Sequence, residues 1–216
     1  MTPERRGPGI LLVVGVLALA WSGAAPKDRA VWLMEVFPAI AGGVALALTY
    51  RRWPMTPITY GVIFVFSLIL MVGGKYTYAE VPLGFWVRDL FHLKRNHFDR
   101  LGHFMQGVVP ALLAREMLIR CTPLRPGKAL FWICSSVALA VSACYELVEW
   151  QAAIWTAPEQ GEAFLGSQGD VWDTQKDMGM ALVGSIVSQF ALGRRQDRQI
   201  AALPAPRCNP ESTLPS

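Results

Sequence analysis

Thr56-Pro-Ile-Thr-Tyr-Gly-Val-Ile-Phe-Val-Phe-Ser-Leu-Ile-Leu-Met-Val-Gly73 contains no charged residue. A helix needs about 20 mostly apolar residues to cross a hydrocarbon core about 30 Å thick, so this stretch predicts a membrane span. Comparable runs extend from Pro8 to Ala24, Ala30 to Tyr50, Leu101 to Ile119, Ala129 to Val148 and Trp172 to Leu192. Over the whole chain 53% of residues are hydrophobic and 17% charged, which is too apolar for an ordinary soluble domain of 216 residues. The expected fold is all-α: a polytopic membrane protein with six transmembrane helices. They are expected to form one integral-membrane domain over residues 1–197, followed by a polar, proline-bearing, disordered tail over 198–216. No internal repeat is visible.

Cytoplasmic ends of membrane helices retain Lys and Arg. Arg5, Arg6, Arg51, Arg52, Arg115, Arg120, Arg125, Lys128, Arg194, Arg195 and Arg198 fall on one side of this topology, which places both termini inside. A competing reading takes Arg5 and Arg6, the short apolar run and Ser22-Gly-Ala-Ala25 as a cleaved secretory signal, with the same outer face for the rest. The formal net charge of +4 is accounted for by topology and requires no nucleic-acid partner. Cys121, Cys134, Cys144 and Cys208 form neither a CxxC pair nor a His-Cys metal spacing. They read as buried small apolar residues or cytoplasmic thiols, without a structural disulfide.

Three polar clusters then fall at helix ends on the outer face: Asp99-Arg-Leu-Gly-His103-Phe-Met-Gln106, Glu146-Leu-Val-Glu149 and Asp170-Val-Trp-Asp173-Thr-Gln175-Lys-Asp177. Residues three, four or seven apart share a helix face. Asp99, His103 and Gln106 thus form one stripe, Glu146 and Glu149 a second, and Asp170, Asp173 and Asp177 a third. Glu35, one turn or so into the second helix, adds a further carboxylate. Six carboxylates against Arg100 and Lys176 cannot all ionise in a partly dehydrated pocket: either a cation binds or some carboxyl groups stay protonated. As metal ligands, Asp99, His103, Glu146, Glu149, Asp170, Asp173 and Asp177 suit a divalent cation, Mg²⁺, Mn²⁺, Ca²⁺ or Zn²⁺. As a catalytic set, His103 is the general base or acid, with Glu149 and Asp173 orienting it or binding metal. Capping by Asp99, Asp170 or Asp173 and simple pairing of the glutamates with Arg100 or Lys176 are the competing structural readings.

The connection from Lys75 to Phe98 interleaves aromatic and basic residues and suits a short amphipathic segment at the lipid headgroups. Its sharper reading is a lid over the acidic site, with Arg88, Lys94, Arg95 and Arg100 meeting an anionic headgroup and Gln106 and Gln175 adding hydrogen bonds. Gln151 to Gly169, with Pro158, Gly161, Gly166 and Gly169, reads as irregular structure. Glu116 and Arg120 read as an exposed pair one turn apart.

Gly74-Lys-Tyr-Thr-Tyr78, Phe98 to Gly107, Pro110-Ala-Leu-Leu-Ala-Arg-Glu116, Tyr145-Glu-Leu-Val-Glu-Trp150 and Gln168 to Met178 resemble the YjdF-like family of bacterial inner-membrane proteins. The resemblance implies a multi-pass protein of the bacterial inner membrane and carries no activity with it. A shorter similarity to VanZ-like membrane proteins rests on Asp99-Arg-Leu-Gly-His103, a later Glu146 or Glu149, and Asp173 or Asp177. It departs from that pattern at Arg100, where a lysine is usual, and implies only a shared polar site at the outer face.

The leading expectation is an outer-face acidic and histidine site that binds a divalent cation and acts on a lipid-linked or amphipathic anionic substrate. The alternatives are a transporter or proton-handling protein using the same carboxylates, and a structural or accessory membrane protein without chemistry.

Overall fold

The computed structural model describes residues 3–156 and 158–204. Eight α-helices occur among them: α1 (Pro3–Gly23), α2 (Arg29–Thr49), α3 (Pro57–Tyr76), α4 (Pro82–Leu90), α5 (Phe98–Cys121), α6 (Lys128–Trp155), α7 (Pro158–Leu165) and α8 (Asp173–Ala202). There is no strand among the described residues. Every expected hydrophobic run lies on one of the six long helices. Three of those, α2, α3 and α6, are long and apolar enough to cross a membrane. The other three differ for physical reasons: the apolar part of α1 is shorter, from Gly7 to Gly23, and α5 and α8 carry buried charges. α8 also runs through Arg198, where the tail was expected to begin, and ends at Ala202.

Local chemistry sets the boundaries. Asp28 caps α2, its Oδ1 accepting from the backbone N–H of Ala30 at 2.7 Å and Val31 at 3.0 Å. Hydrogen bonding from the Val31 backbone holds the Asp28 carboxyl below the usual aspartate range. Thr56 caps α3 by accepting from Thr59 N–H at 3.3 Å, with Pro57 at the first helical position, where its missing N–H costs nothing. α7 occupies the stretch expected to be irregular: Pro158 opens it and Gly161 lets it lie against α6. Cys134 and Cys144 are free thiols. Cys121 is disulfide-bonded, against the expectation for a cytoplasmic end.

α5 is the central helix, packed against α8 along its length and flanked by α3 and α6. The α5–α8 seam is close because two glycines face two backbones reciprocally. A Cβ on Gly107 would strike the Ala181 carbonyl oxygen, and a Cβ on Gly184 would strike that of Phe104. Ala111, Leu112 and Ala181 beside them are fully buried. Gln189 ties α8 to α6 by donating to Ser135 Oγ at 3.0 Å. Because carbonyl backbone cannot rotate away as a side chain can, Gly107→Ala is expected to destabilise by about 1–3 kcal/mol. Thermal unfolding in detergent checks this; an unchanged midpoint would show that the seam is looser than described. Outside, the long helices present broad apolar faces, among them Phe37, Leu48 and Phe190, of the kind a bilayer covers.

Between α3 and α5 the chain turns through a small core of Leu70, Tyr78, Val81 and Phe98. Asn96 pins this turn, donating to Val81 O at 3.0 Å and accepting from Phe98 N–H at 3.0 Å. α4 is the expected amphipathic segment, with Leu83, Trp86 and Leu90 exposed.

Candidate cation site

α2, α5 and α8 begin, and α6 ends, at the same end of the bundle, so the three polar stripes meet as the sequence predicts. Glu35, Asp99, His103, Gln106, Glu146, Glu149, Asp173 and Asp177 are all buried there. Asp99 and Asp173 do not cap their helices: the N-cap positions are His97 and Trp172, without a side-chain cap. The capping alternative therefore leaves these two carboxylates unexplained.

The cluster divides into two halves with different chemistry. In the half nearer the helix ends, the carboxylates are matched by cations. Arg100 reaches Asp177 with Nη1 and Asp173 with Nη2, and stands 3.6 Å from Asp99 and 3.7 Å from Asp170. Arg95 Nη1 donates to Asp173 at 2.7 Å and to Ser167 O at 2.8 Å, while Nη2 donates to Gly166 O at 3.3 Å. Lys176 pairs with Asp170 at 2.6 Å, and its hydrogen bond holds that carboxyl below the usual range.

The structure gives several of the expected site residues partners within the chain. Asp170 and Asp173, expected as metal ligands, and Asp173 as a catalytic group, are partners of Arg95 and Arg100. Those two arginines, expected at the substrate, are taken up by aspartates because a half-buried guanidinium needs a counter-charge as much as a carboxylate does. Arg88 pairs with its neighbour Asp89 at 2.7 Å and stacks on Phe85, away from the cluster. Lys94 and Gln175 are exposed, on the outside of the loop and of α8.

The deeper half is a cavity of about 130 Å³ walled by Glu35, Tyr78, Asp99, His103, Tyr145 and Glu149, with Gln106 beside them. His103 bridges the halves. Its Nε2 lies 3.4 Å from Asp99 and 3.7 Å from Asp177, while Nδ1 lies 3.0 Å from Gln106 Oε1 and 3.6 Å from Glu146. Two sets of potential ligand atoms result, Asp99 with His103 and Asp177, and His103 with Glu146 and Glu149, each within 4.8 Å of one another. Arg100 already serves the first set, so the second is the one without a cation. Ligands of one ion, each about 2 Å from it, stand roughly 3–4 Å apart; a modest rotation of side chains would close that set.

Glu35 and Glu149 are only 2% and 7% exposed and make no hydrogen bond or ion pair among the described residues. Among the described residues neither the Tyr145 hydroxyl nor Glu146 Oε1 has a hydrogen-bond partner. The opposite end of the bundle shows what this fold does with a carboxylate that only holds helices together. Glu116, fully buried, accepts from Thr56 N–H at 2.9 Å, Thr56 Oγ1 at 2.8 Å, Thr59 Oγ1 at 2.6 Å and Arg120 Nη1 at 2.9 Å. Gln196 of α8 joins it through Thr59 Oγ1 at 3.1 Å and Leu112 O at 2.8 Å, and Arg115 bonds Gln196 Oε1 at 3.2 Å and Asp197 at 2.7 Å. The pair expected to be exposed is thus the centre of a buried network, since α3 and α8 cover it. Sequence reading missed this network and the clasp between Asn96 and Gln168; Gln189 and Gln196, seven apart on one face of α8, were the available signal.

The family described as predicted membrane protein (DUF2238) matches residues 8–198, which include every residue of the site. The chain is also similar to the inner membrane protein YjdF of Escherichia coli (strain K12), with 50% identity over 185 residues, 85% of this chain and 88% of that protein. No solved structure matches it. With the acidic site, the long apolar helices and this extent of similarity together, the chain belongs to the DUF2238 family of bacterial membrane proteins.

Proposed function

We propose that this protein crosses the inner membrane six times with both termini inside, and that it binds one divalent cation at its outer face through His103, Glu146 and Glu149. The bound ion acts on a lipid-linked or amphipathic anionic substrate. The observation that carries this reading is the contrast between Glu149 and Glu116. Glu116 has all its hydrogen-bonding capacity met, whereas Glu149 and Glu35 are buried beside a cavity and make no hydrogen bond or ion pair among the described residues. An unpaired buried carboxylate costs several kcal/mol, and a cation drawn to the cavity would offset that cost. Oxygen donors with one imidazole suit Mg²⁺, Mn²⁺ or Zn²⁺ over softer ions.

A bound divalent ion would polarise a phosphoryl or acyl oxygen. His103 would ligate the ion through Nδ1, the nitrogen 3.6 Å from Glu146, once its contact with Gln106 Oε1 opens. Asp99, 3.4 Å from Nε2, would hold the imidazole in the tautomer that ligation through Nδ1 needs. Asp173 contributes indirectly by holding Arg100 away from the deeper ligands.

Metal content and calorimetric titration of detergent-purified protein test the reading. Wild type should bind about one ion per chain, and Glu149→Gln, which keeps the shape of the side chain, should weaken binding roughly 10–100-fold or more. Folding of both is verified by thermal unfolding. Absence of binding by wild type to Mn²⁺, Mg²⁺ and Zn²⁺ alike would reject the cation site.

A further inference from the structure

Four helices wall the cavity: α2 with Glu35 and Pro38, α3 with Phe66 and Leu70, α5 from Asp99 to Pro110, and α6 with Val141, Tyr145 and Glu149. Around this ring α2 packs on α3, α3 on α5, and α5 on α6, whereas α6 and α2 form no extended seam among the described residues. They are joined at their ends by α7. Gln160 of α7 donates to Asp28 Oδ2 at 3.1 Å, and Gly161 lies so close to α6 that a Cβ would come within 2.9 Å of Ala153 O. The fourth side is therefore a roof with a gap beneath it. Val141 marks the edge of that gap, lining the cavity while 41% exposed on the outer surface of the bundle.

On the helix-end side the loop before α8 covers Asp99. The segment from Gly166 to Asp170 lies over Asp99, a Cβ on Gly166 falling 4.0 Å from the Asp99 carboxyl carbon. Arg95 grips its carbonyls, and Gln168 exchanges hydrogen bonds with the Asn96 backbone at 2.8 and 3.2 Å.

Polarity along the gap is graded. Glu35 and Glu149 each stand six residues from the nearer helix end, about 9 Å deep at 1.5 Å per residue. Phe66, Val109 and Val141 lie deeper, where the walls are apolar. A molecule filling this space has a polar head near the membrane interface and an apolar chain below it. The head must be small, because 130 Å³ holds about four waters at roughly 30 Å³ each. Among the described residues the cavity wall contains no Lys or Arg, which leaves the bound ion, with His103 beside it, to meet an anionic head.

We infer that the site is loaded sideways from the bilayer, through the gap between α2 and α6 beneath α7, by a lipid whose small phosphate head meets the cation held by His103, Glu146 and Glu149. The head chemistry rests on the cation reading above; the lateral route does not.

The test uses the full chain in nanodiscs with Mn²⁺ and a trace of lipid carrying a photoreactive acyl chain, under either a phosphate monoester head or a phosphocholine head. Adducts are mapped by mass spectrometry. The monoester lipid should label Phe66, Val109 and Val141 several-fold more than the choline lipid. That labelling should fall with chelator and with Val141→Trp, which fills the gap, and should persist in excess inorganic phosphate. Equal labelling by both heads, labelling confined to outward residues such as Leu48 and Phe190, or displacement by inorganic phosphate as effective as by unlabelled lipid would overturn the inference. The head-group comparison is made on wild type, so a misfolded Val141→Trp leaves it decisive. Metal content of the same nanodiscs separates the two readings: bound ion without labelling of the gap defeats the lateral route alone, and labelling of the gap without bound ion defeats the cation site.

Discussion

Glu116→Ala is expected to lower stability by about 3–5 kcal/mol, although it lies at the far end of the bundle from the candidate site. The substitution removes the acceptor for two threonine hydroxyls, one backbone N–H and the Arg120 guanidinium at once, and leaves those donors in a buried position. Glu116→Gln should recover part of the loss, because an amide oxygen still accepts while the charge that matches Arg120 is gone. Glu149→Gln should behave in the opposite way. With no partner to lose, it should leave stability unchanged or raise it slightly in the absence of metal. Thermal unfolding of the three variants in one detergent makes the comparison. Equal destabilisation by Glu116→Ala and Glu149→Gln would mean that the two carboxylates do the same work, and the case for a ligand at Glu149 would fall.

Arg100→Ala should be comparably severe, at about 3–5 kcal/mol. Its guanidinium serves Asp173 and Asp177 with separate nitrogens and stands near Asp99, so removal leaves three buried carboxylates facing one another. Arg100→Lys should rescue only partly, since one ammonium cannot reproduce two divergent N–H contacts. Removing charge on the other side should rescue better: adding Asp173→Asn and Asp177→Asn to Arg100→Ala should restore more than half of the lost stability. Chemical unfolding of the single, conservative and combined variants reads this out. A combined variant no more stable than Arg100→Ala would show that shape, and not charge balance, is what Arg100 contributes.

The long helices were legible because length and apolarity are properties of local sequence. Thr56 to Gly73 lies almost entirely on α3, and Ala30 to Tyr50 on α2, each within a residue or a few of the observed ends. Crossing number was less legible: α2, α3 and α6 are long and apolar enough to cross a membrane, whereas α5 and α8 hold charges against one another. α7 was missed because Pro158 and Gly161 act there through position: a proline starting a helix and a glycine under a neighbouring backbone look, in sequence, like two breakers. Convergence of Asp99, His103, Glu149 and Asp177 followed from stripe spacing and topology. The division into an arginine-matched half and an unmatched cavity did not, because it depends on where Arg95 and Arg100 reach across α8, a distance of more than 70 positions in sequence. Glu116 and Arg120 were misread for the same reason: a pair one turn apart gives no sign of what packs over it.

The seam between α5 and α8 also bears on how the protein is made. α5 carries Arg100 and Arg115, whose partners Asp173, Asp177, Gln196 and Asp197 all lie on α8, which follows it in synthesis. Until the ribosome has delivered α8, Arg115 lacks these partners and Arg100 has only the Asp99 carboxylate of its own helix, 3.6 Å away, so the charge pairing of α5 is completed late in synthesis. A chain stopped after Trp155 is therefore expected to keep α5 without its α8 partners and to be cut by added protease more readily than the full chain.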